Sequence, residues 1–482
     1  MRSALVVPLT AVALLCGACS FAPRDVRPAL PTASTYPAEY SGDTNAGAQA
    51  PTLGWRDFFA DPRLAAIVQR ALANNRDLKV AVAQVEEARS LYRVQRADVL
   101  PTIALSAEAT RNHAGPQALG ATSGRDLTQI DPGIGAVTYE RYALSAGVAS
   151  FELDFWGRVR NLTAAARASY LSSVAAARAF QLSLIRDVSN AYLASLEARE
   201  RLALAEATVR SRREGLRIAK RRLDAGVTSA LDYSQAETLL TQAETELAAL
   251  KLTRAQSENL LTTLVGAPID GNLPDPLPLA DQTRTEALAA GVPSELLTTR
   301  PDIIAAEERL RGARANIGAA RAAFLPSISL TGNYGYTSSD LNELVGSEGR
   351  LWTYGPTITL PLFDFGRRRA NLDVAKAREI QAVADYERTI QDSFREVADA
   401  LAGRQFLAEQ VAAQERATNA QRRLAELART RYREGVVSYL EVLDAERNLF
   451  AAEQALLQDR RAEVSNLVSL YVALGGGLIE SR

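Results

Sequence analysis

The chain has 482 residues, of which 47% are hydrophobic and 23% charged, with a formal net charge of -1. This balance gives no reason to expect nucleic-acid binding, and no stretch after the first 19 residues reaches the apolar length of a transmembrane helix. One histidine, His113, and two cysteines provide no metal-ligand cluster and no Ser/His/Asp set, so neither a metal centre nor catalysis is expected.

Residues 1–18 are typical of a cleaved signal peptide. Arg2 supplies the positive charge, residues 4–15 are nearly all apolar, and the small residues Gly17 and Ala18 precede Cys19. Cleavage there would make Cys19 the mature N-terminus and a site for a covalent lipid, with an N-acyl and an S-diacylglycerol group. The third position before it holds Cys where lipoproteins usually carry Leu, and the alternative is an ordinary secretory signal in which Cys19 is incidental.

The rest of the chain contains two copies of one unit. An offset of about 225 pairs Leu100-Pro101 with Leu325-Pro326, and an offset of 209 pairs the segment 222–231 with 431–440. Each copy predicts a helix, two strands, a very long helix, a turn and a last helix. The predicted segments are an N-terminal extended or equatorial segment 19–70, repeat 1 at 71–266, an equatorial linker 267–300, repeat 2 at 301–472 and a C-terminal tail 473–482.

The strands are predicted near 101–111 and 142–154 in the first copy, and near 326–337 and 352–364 in the second. Strands of about ten residues are long enough to cross a bilayer when tilted. Four strands cannot close a barrel, so membrane insertion would require self-association. Three chains would supply twelve strands, although two chains would also reach eight.

The long helices are predicted at 158–225 and 367–434, where proline is absent and strong helix formers dominate. At about 1.5 Å per residue each would be roughly 100 Å long. Because these helices are too polar for lipid, they are expected to project into water as a coiled tube.

Two glycines, Gly226 and Gly435, are predicted to reverse the chain at the far ends of the long helices. Acidic residues follow them: Asp232 after the first, and Glu441 with Asp444 after the second. In an assembly that meets at these turns, Glu441 and Asp444 would form rings that attract cations. The alternative is that all three are solvated carboxylates favoured by the start of a helix.

Several motifs in one order resemble the outer-membrane factor family, the TolC/OprM-like exit ducts, and in particular its multidrug efflux lipoprotein branch. They include Gly54-Trp55-Arg56-Asp57-Phe58-Phe59, Asn74-Asn75-Arg76-Asp77-Leu78, Glu152-Leu153-Asp154-Phe155-Trp156-Gly157-Arg158, Arg300-Pro301-Asp302-Ile303 and Ala473-Leu474-Gly475-Gly476-Gly477. The resemblance implies an α+β membrane channel: a homotrimer with a 12-stranded outer-membrane β-barrel, four strands per chain, continued by a long α-helical periplasmic barrel.

The resemblance also implies a periplasmic gate at the two turns. Tyr432 would bond Asp232 on the neighbouring helix pair, and Leu440 and Asp444 would narrow the bore. Arg431 would add ionic contacts, and Glu441 is also one of the implied gate residues. Position 437 is Val where some relatives carry a gating Arg.

The implied function is the exit duct of a tripartite, RND-type efflux pump in the outer membrane, which conducts drugs passively without a cofactor. Its implied partners are a periplasmic adaptor protein and an inner-membrane transporter, with no nucleic acid. A type I protein-secretion outlet or a metal-efflux channel is the first alternative. A non-channel coiled-coil lipoprotein is the second, although it would have no use for the paired strands.

Overall fold

The computed structural model describes residues 21–37, 39, 47–115, 136–269, 271, 273–282 and 288–480, so the signal segment and Cys19 lie outside the described residues. The helices are α1 (Trp55–Phe58), α2 (Pro62–Asn74), α3 (Arg76–Ala97), α4 (Arg158–Asp224), α5 (Ala230–Val265), α6 (Leu296–Thr299), α7 (Pro301–Ala322), α8 (Arg367–Arg433) and α9 (Tyr439–Ala473). The strands are β1 (Ile103–Ala114), β2 (Val137–Glu152), β3 (Ser327–Ser338) and β4 (Arg350–Thr359).

The chain divides into two compact units. A sheet unit comprises the described residues up to Arg27 together with Glu87–Tyr170 and Arg309–Ala382. A helical unit comprises Pro28–Glu86, Leu171–Glu308 and the described residues from Val383 onward.

The sheet is antiparallel with the strand order β1-β2-β3-β4. Its register places the residues Leu105, Ala146, Tyr334 and Trp352 in one row across the sheet, and Ala104, Gly147, Asn333 and Thr353 in the next. Since successive residues of a strand point to opposite faces, the first row belongs to an apolar face and the second to a more polar one. Leu105 is 75% exposed and Ile358, which also lies on the apolar face, is 67% exposed.

The strand boundaries differ from those expected at two ends in particular, and the first is the start of β2, at Val137 rather than near residue 142. β4 ends at Thr359 rather than near residue 364, because Thr359 pairs with Ser327, the first residue of β3. Beyond that pair β4 has no partner, and Pro361 lacks the N–H that a ladder needs. A register shift between Val148 and Phe151 also interrupts the β2–β3 pairing.

An aspartate lies a few residues before the start of each long helix. Asp154 accepts hydrogen bonds from the N–H groups of Val159 and Arg160, at 3.0 and 2.8 Å. Asp364 accepts one from the N–H of Arg368 at 3.0 Å. These carboxylates satisfy donors that the first helical turn leaves free, and α4 and α8 then run for 67 residues each.

A buried carboxylate fixes the predicted linker within the helical unit. Asp61 is fully buried and accepts hydrogen bonds from the Tyr192 hydroxyl at 2.5 Å, the Gln282 side-chain amide at 2.8 Å and the Leu277 N–H at 3.2 Å. Burial and this carboxylate raise the pKa of Tyr192 far above its usual range. The bonds tie Leu277 and Gln282 to the residue before α2, which also accepts the bond from Tyr192 of α4. A buried carboxylate without these donors would be costly.

Candidate functional site at the two helix turns

The two glycine turns have the same backbone geometry. Gly226 has a φ of 69° and Gly435 a φ of 75°, both in the left-handed region. At the first turn the N–H of Val227 donates to Arg222 O and that of Gly226 to Leu223 O, and the second turn repeats both bonds at positions 209 residues later. This pattern is a Schellman motif. A Cβ at either glycine would meet nothing within 4 Å, so the turns require glycine for its conformation and not for space.

The acidic residue after the first turn is used to start helix α5. The hydroxyl of Ser229 accepts from the Asp232 N–H at 3.2 Å, and the Asp232 carboxylate accepts from the Ser229 N–H at 3.3 Å, which forms a capping box. The Thr228 hydroxyl donates to the same carboxylate at 2.5 Å. The Thr228 bond, followed by the Ser229 backbone bond, lowers the pKa of Asp232, and the nearby Arg222 charge adds to the effect.

The equivalent residue after the second turn makes a different contact. Glu441 accepts a hydrogen bond from Arg431 Nη1 at 2.9 Å, and Ser438 caps α9 without a side-chain hydrogen bond. Position 437 is Val where the first turn has Thr228, so the hydroxyl that would hold a carboxylate at the helix start is missing. Asp444, one turn further along α9, pairs with Arg447 at 3.2 Å and is about half exposed.

An arginine and two tyrosines connect the two helix pairs of the chain close to the turns. The Arg222 guanidinium lies 5.1 Å from the centroid of the Tyr432 ring and donates a hydrogen bond to its hydroxyl. The ring centroids of Tyr432 and Tyr439 are 5.1 Å apart. The Tyr439 hydroxyl lies against Gly215 of α4, where a Cβ would be only 2.5 Å from it. Burial raises the pKa of Tyr439.

Four of the predicted gate residues have defined side-chain partners within this chain. Arg431 and Glu441 form an ion pair, while Asp232 bonds to its own turn and Tyr432 bonds to Arg222. Within this chain Asp232 and Tyr432 therefore bond to different groups. Their bond between neighbouring helix pairs stays a prediction.

Apolar side chains are exposed at both turns. Val227 and Leu231 follow the first glycine, and their repeat equivalents Val436 and Leu440 follow the second. The first three are each about two-thirds exposed, whereas Leu440 is 45% exposed. Among the described residues, these matched apolar side chains are all exposed, Leu440 the least.

Three residues at this site were not predicted from the sequence: Arg222, Thr228 and Tyr439. The repeat offset contains a signal for Thr228, since it aligns with Val437 while the neighbouring serines match. The contact of Arg222 with Tyr432 joins residues 210 positions apart, and no local pattern indicates such a pairing.

Across the described residues, no helix has both the length and the apolar composition that crossing a membrane requires. In the same part of the chain, no group of three or more His, Cys, Asp or Glu side chains is arranged to hold a metal ion.

Comparison with known proteins gives one consistent result. The model of the outer membrane efflux protein family matches residues 67–267 and 292–476. The toluene efflux pump outer membrane protein TtgC of Pseudomonas putida is 40% identical over 474 residues, covering 98% of this chain and 95% of that protein. The cation efflux system protein CusC of Escherichia coli is 39% identical over 468 residues, covering 97% of this chain and 98% of CusC.

A solved structure has the same fold. The open state of the MtrE outer membrane channel of Neisseria gonorrhoeae superposes with a TM-score of 0.86 at 38% identity, covering 96% of this chain and 99% of that chain. The α+β channel fold predicted from the sequence is confirmed.

Proposed function

The chain belongs to the outer membrane efflux protein family, and from that membership we propose that it is the exit duct of a tripartite, RND-type efflux pump. In this role it receives substrate from an inner-membrane transporter through a periplasmic adaptor protein. The duct is passive and has no catalytic function, because the transporter supplies the energy.

The observation that carries this proposal is the four-stranded sheet with one apolar face and one more polar face. Such a sheet suits a wall with lipid on one side and water on the other. In the described residues β1 and β4 are edge strands, and unpaired edges are not tolerated in lipid. Three copies in a homotrimer would join these edges and close a barrel of twelve strands.

A lipid on Cys19 would add a second attachment to the outer membrane. The support is the sequence pattern alone, since Cys19 lies outside the described residues. No other cofactor is proposed. We expect the parent protein to take up radioactive palmitate and Cys19→Ser to take up none. Labelling of both proteins would contradict the lipid site.

The two turns would form the periplasmic gate and the adaptor-binding surface. The exposed apolar pairs Val227 with Leu231 and Val436 with Leu440 offer contacts for the adaptor, because exposed apolar patches mark interaction sites. In a trimer, Leu440 and Asp444 would narrow the bore. Three Asp444 carboxylates in one ring would favour cations over anions.

The proposed substrates are small organic molecules. Similarity does not decide between an organic and a metal-ion cargo, since TtgC and CusC are almost equally identical to this chain. After residue 19, however, the chain contains no Met and no Cys, which are the soft ligands that Cu(I) prefers. A metal-efflux duct is the second candidate, and it is favoured if the chain restores metal but not antibiotic resistance to a strain lacking its own duct.

Planar bilayers test the duct directly. The purified trimer should conduct and prefer cations, and Asp444→Asn should reduce that preference because it removes a ring charge. Asp385→Asn is the matched control, since Asp385 is also an exposed acid paired with an arginine three residues later but lies on α8, away from the turns. Absence of conductance, or an equal change in both variants, would contradict the proposal.

A further inference from the structure

Within the sheet unit, residues 21–25 lie along one face of helix α7. Arg321 Nη1 donates to the Phe21 carbonyl oxygen at 2.8 Å. Arg311 Nε and Arg314 Nη1 each donate to a carboxylate oxygen of Asp25 at 3.0 Å. The segment 21–25 therefore runs along α7 in the opposite direction to the helix.

A glycine allows the segment to come close. A Cβ at Gly318 would lie 2.8 Å from the Ala22 backbone nitrogen and 2.8 Å from Asn161 Cγ. Backbone atoms cannot rotate away as the end of a side chain can, so any other residue would displace the segment. Gly312 on the same helix is different, because its Cβ would make ordinary contacts, with Ala168 Cβ at 3.5 Å.

The first repeat lacks this arrangement. The offset of 225 that aligns Arg314 and Arg321 with arginines of α3 also aligns Gly318 with Arg93 and Arg311 with Glu86. The first repeat thus has the long side chain of Arg93 at the position of Gly318, and the carboxylate of Glu86 at the position of the Arg311 guanidinium. The second repeat alone has the full set of residues that fits the segment.

The contacts differ in how strongly they fix the segment. Asp25 is 56% exposed, and ion pairs at such sites are weak because water screens them. Arg314 is only 11% exposed and also bonds Glu379 at 3.1 Å, so its position is set by the fold. The close approach at Gly318 and the Arg321 bond to a main-chain carbonyl determine which residue of the segment lies where.

We propose that this face of α7 is a seat for the chain's own N-terminal segment, and that the seat fixes where the lipid-bearing residue is tethered. Residue 19 is two positions before Phe21, so their Cα atoms are at most about 7 Å apart. Arg321 lies six residues before the start of β3. A lipid on Cys19 would therefore be attached near the end of α7 that leads into β3. Only this last step rests on the proposed lipid site.

Thiol accessibility measures whether the segment is seated. The chain from residue 20 onward has no cysteine. A protein that is exported without residues 1–19, and therefore without a lipid, has a single thiol when it carries Ala22→Cys. We expect the folded trimer to react with a maleimide much more slowly than the urea-unfolded chain. Adding Gly318→Ala should raise the rate at least tenfold, whereas the matched control Gly312→Ala should stay within twofold of the parent.

A second pair of variants covers the case in which Gly318→Ala does not assemble. Arg321→Ala should raise the labelling rate because it removes the bond to Phe21, while its repeat equivalent Arg96→Ala should not. Equal rates within either pair, or a parent that labels as fast as the unfolded chain, would overturn the seat. If Cys19 takes up no lipid label, the proposed anchor is wrong, but the maleimide labelling rates of the Ala22→Cys proteins would be unaffected.

Discussion

The two turns share a backbone but differ in how they use their acidic residue. At the first turn, Thr228 and Ser229 hold Asp232 at the start of its helix. At the second turn, Glu441 reaches back to Arg431 instead. One side chain explains much of the difference, since Thr at 228 becomes Val at 437. A duplicated unit has thus kept its turn geometry while the two copies have acquired different electrostatics.

The largest expected effect tests what the turns have in common. Gly226→Ala and Gly435→Ala should each destabilise the chain by about 1 to 2 kcal/mol, because a Cβ is unfavourable in the left-handed region. The two costs should be equal, since neither glycine has a neighbour within 4 Å of the added atom. Thermal loss of helical circular dichroism in detergent measures both.

Asparagine provides the control at each turn, because it tolerates the left-handed conformation better than alanine. Gly226→Asn and Gly435→Asn should therefore cost less than the alanine variants. A turn that accepts alanine without loss would show that the two turns do not share their conformation in the assembled channel.

The glycines were predictable from the sequence because a repeat offset, a break in a long helix and a residue with no side chain all coincide there. The alternation of the strands likewise predicted which residues share a face. The end of β4 was not predictable, since it depends on where β3 begins. The Arg222 contact with Tyr432 was not predictable either, because two separate helix pairs must first be brought together.

A middle-sized effect tests how the two turns differ. Asp232→Ala should cost about 0.5 to 2 kcal/mol, as the loss of a helix cap does. Glu441→Ala should cost at most about 1 kcal/mol, since it removes an exposed ion pair. Unfolding of both variants should be compared with the parent at pH 7, and an equal or larger loss for Glu441→Ala would contradict the difference described above.

The pH dependence gives this comparison a second readout. The pKa of Asp232 is lowered in the folded chain, so its contribution is complete above the unfolded value of about 3.9. The contribution is lost as the pH falls from there through the lower folded pKa. The gap between the parent and Asp232→Ala should therefore be constant near neutral pH and shrink below about pH 3.9. A gap that persists in acid would mean that the carboxylate charge does not matter.

The smallest effect comes from rebuilding the first turn at the second position. Val437→Thr supplies the missing hydroxyl, and Glu441→Asp shortens the acid to the length found in the first turn. Either change alone should bring no gain, because the hydroxyl then lacks a carboxylate within reach, or the shorter acid loses Arg431 without gaining a donor. Together they should complete a capping box, since Ser438 already has the extended backbone of Ser229. The gain of about 0.5 to 1 kcal/mol from the cap is offset by the lost ion pair, so the net change in stability should be only a few tenths of a kcal/mol.

The informative quantity is the coupling between the two substitutions, measured as a double-mutant cycle at pH 7 and again at pH 3. Coupling that is favourable at pH 7 and disappears in acid would show that Thr228 and the length of the acid account for the difference between the turns, whereas purely additive effects would refute that explanation.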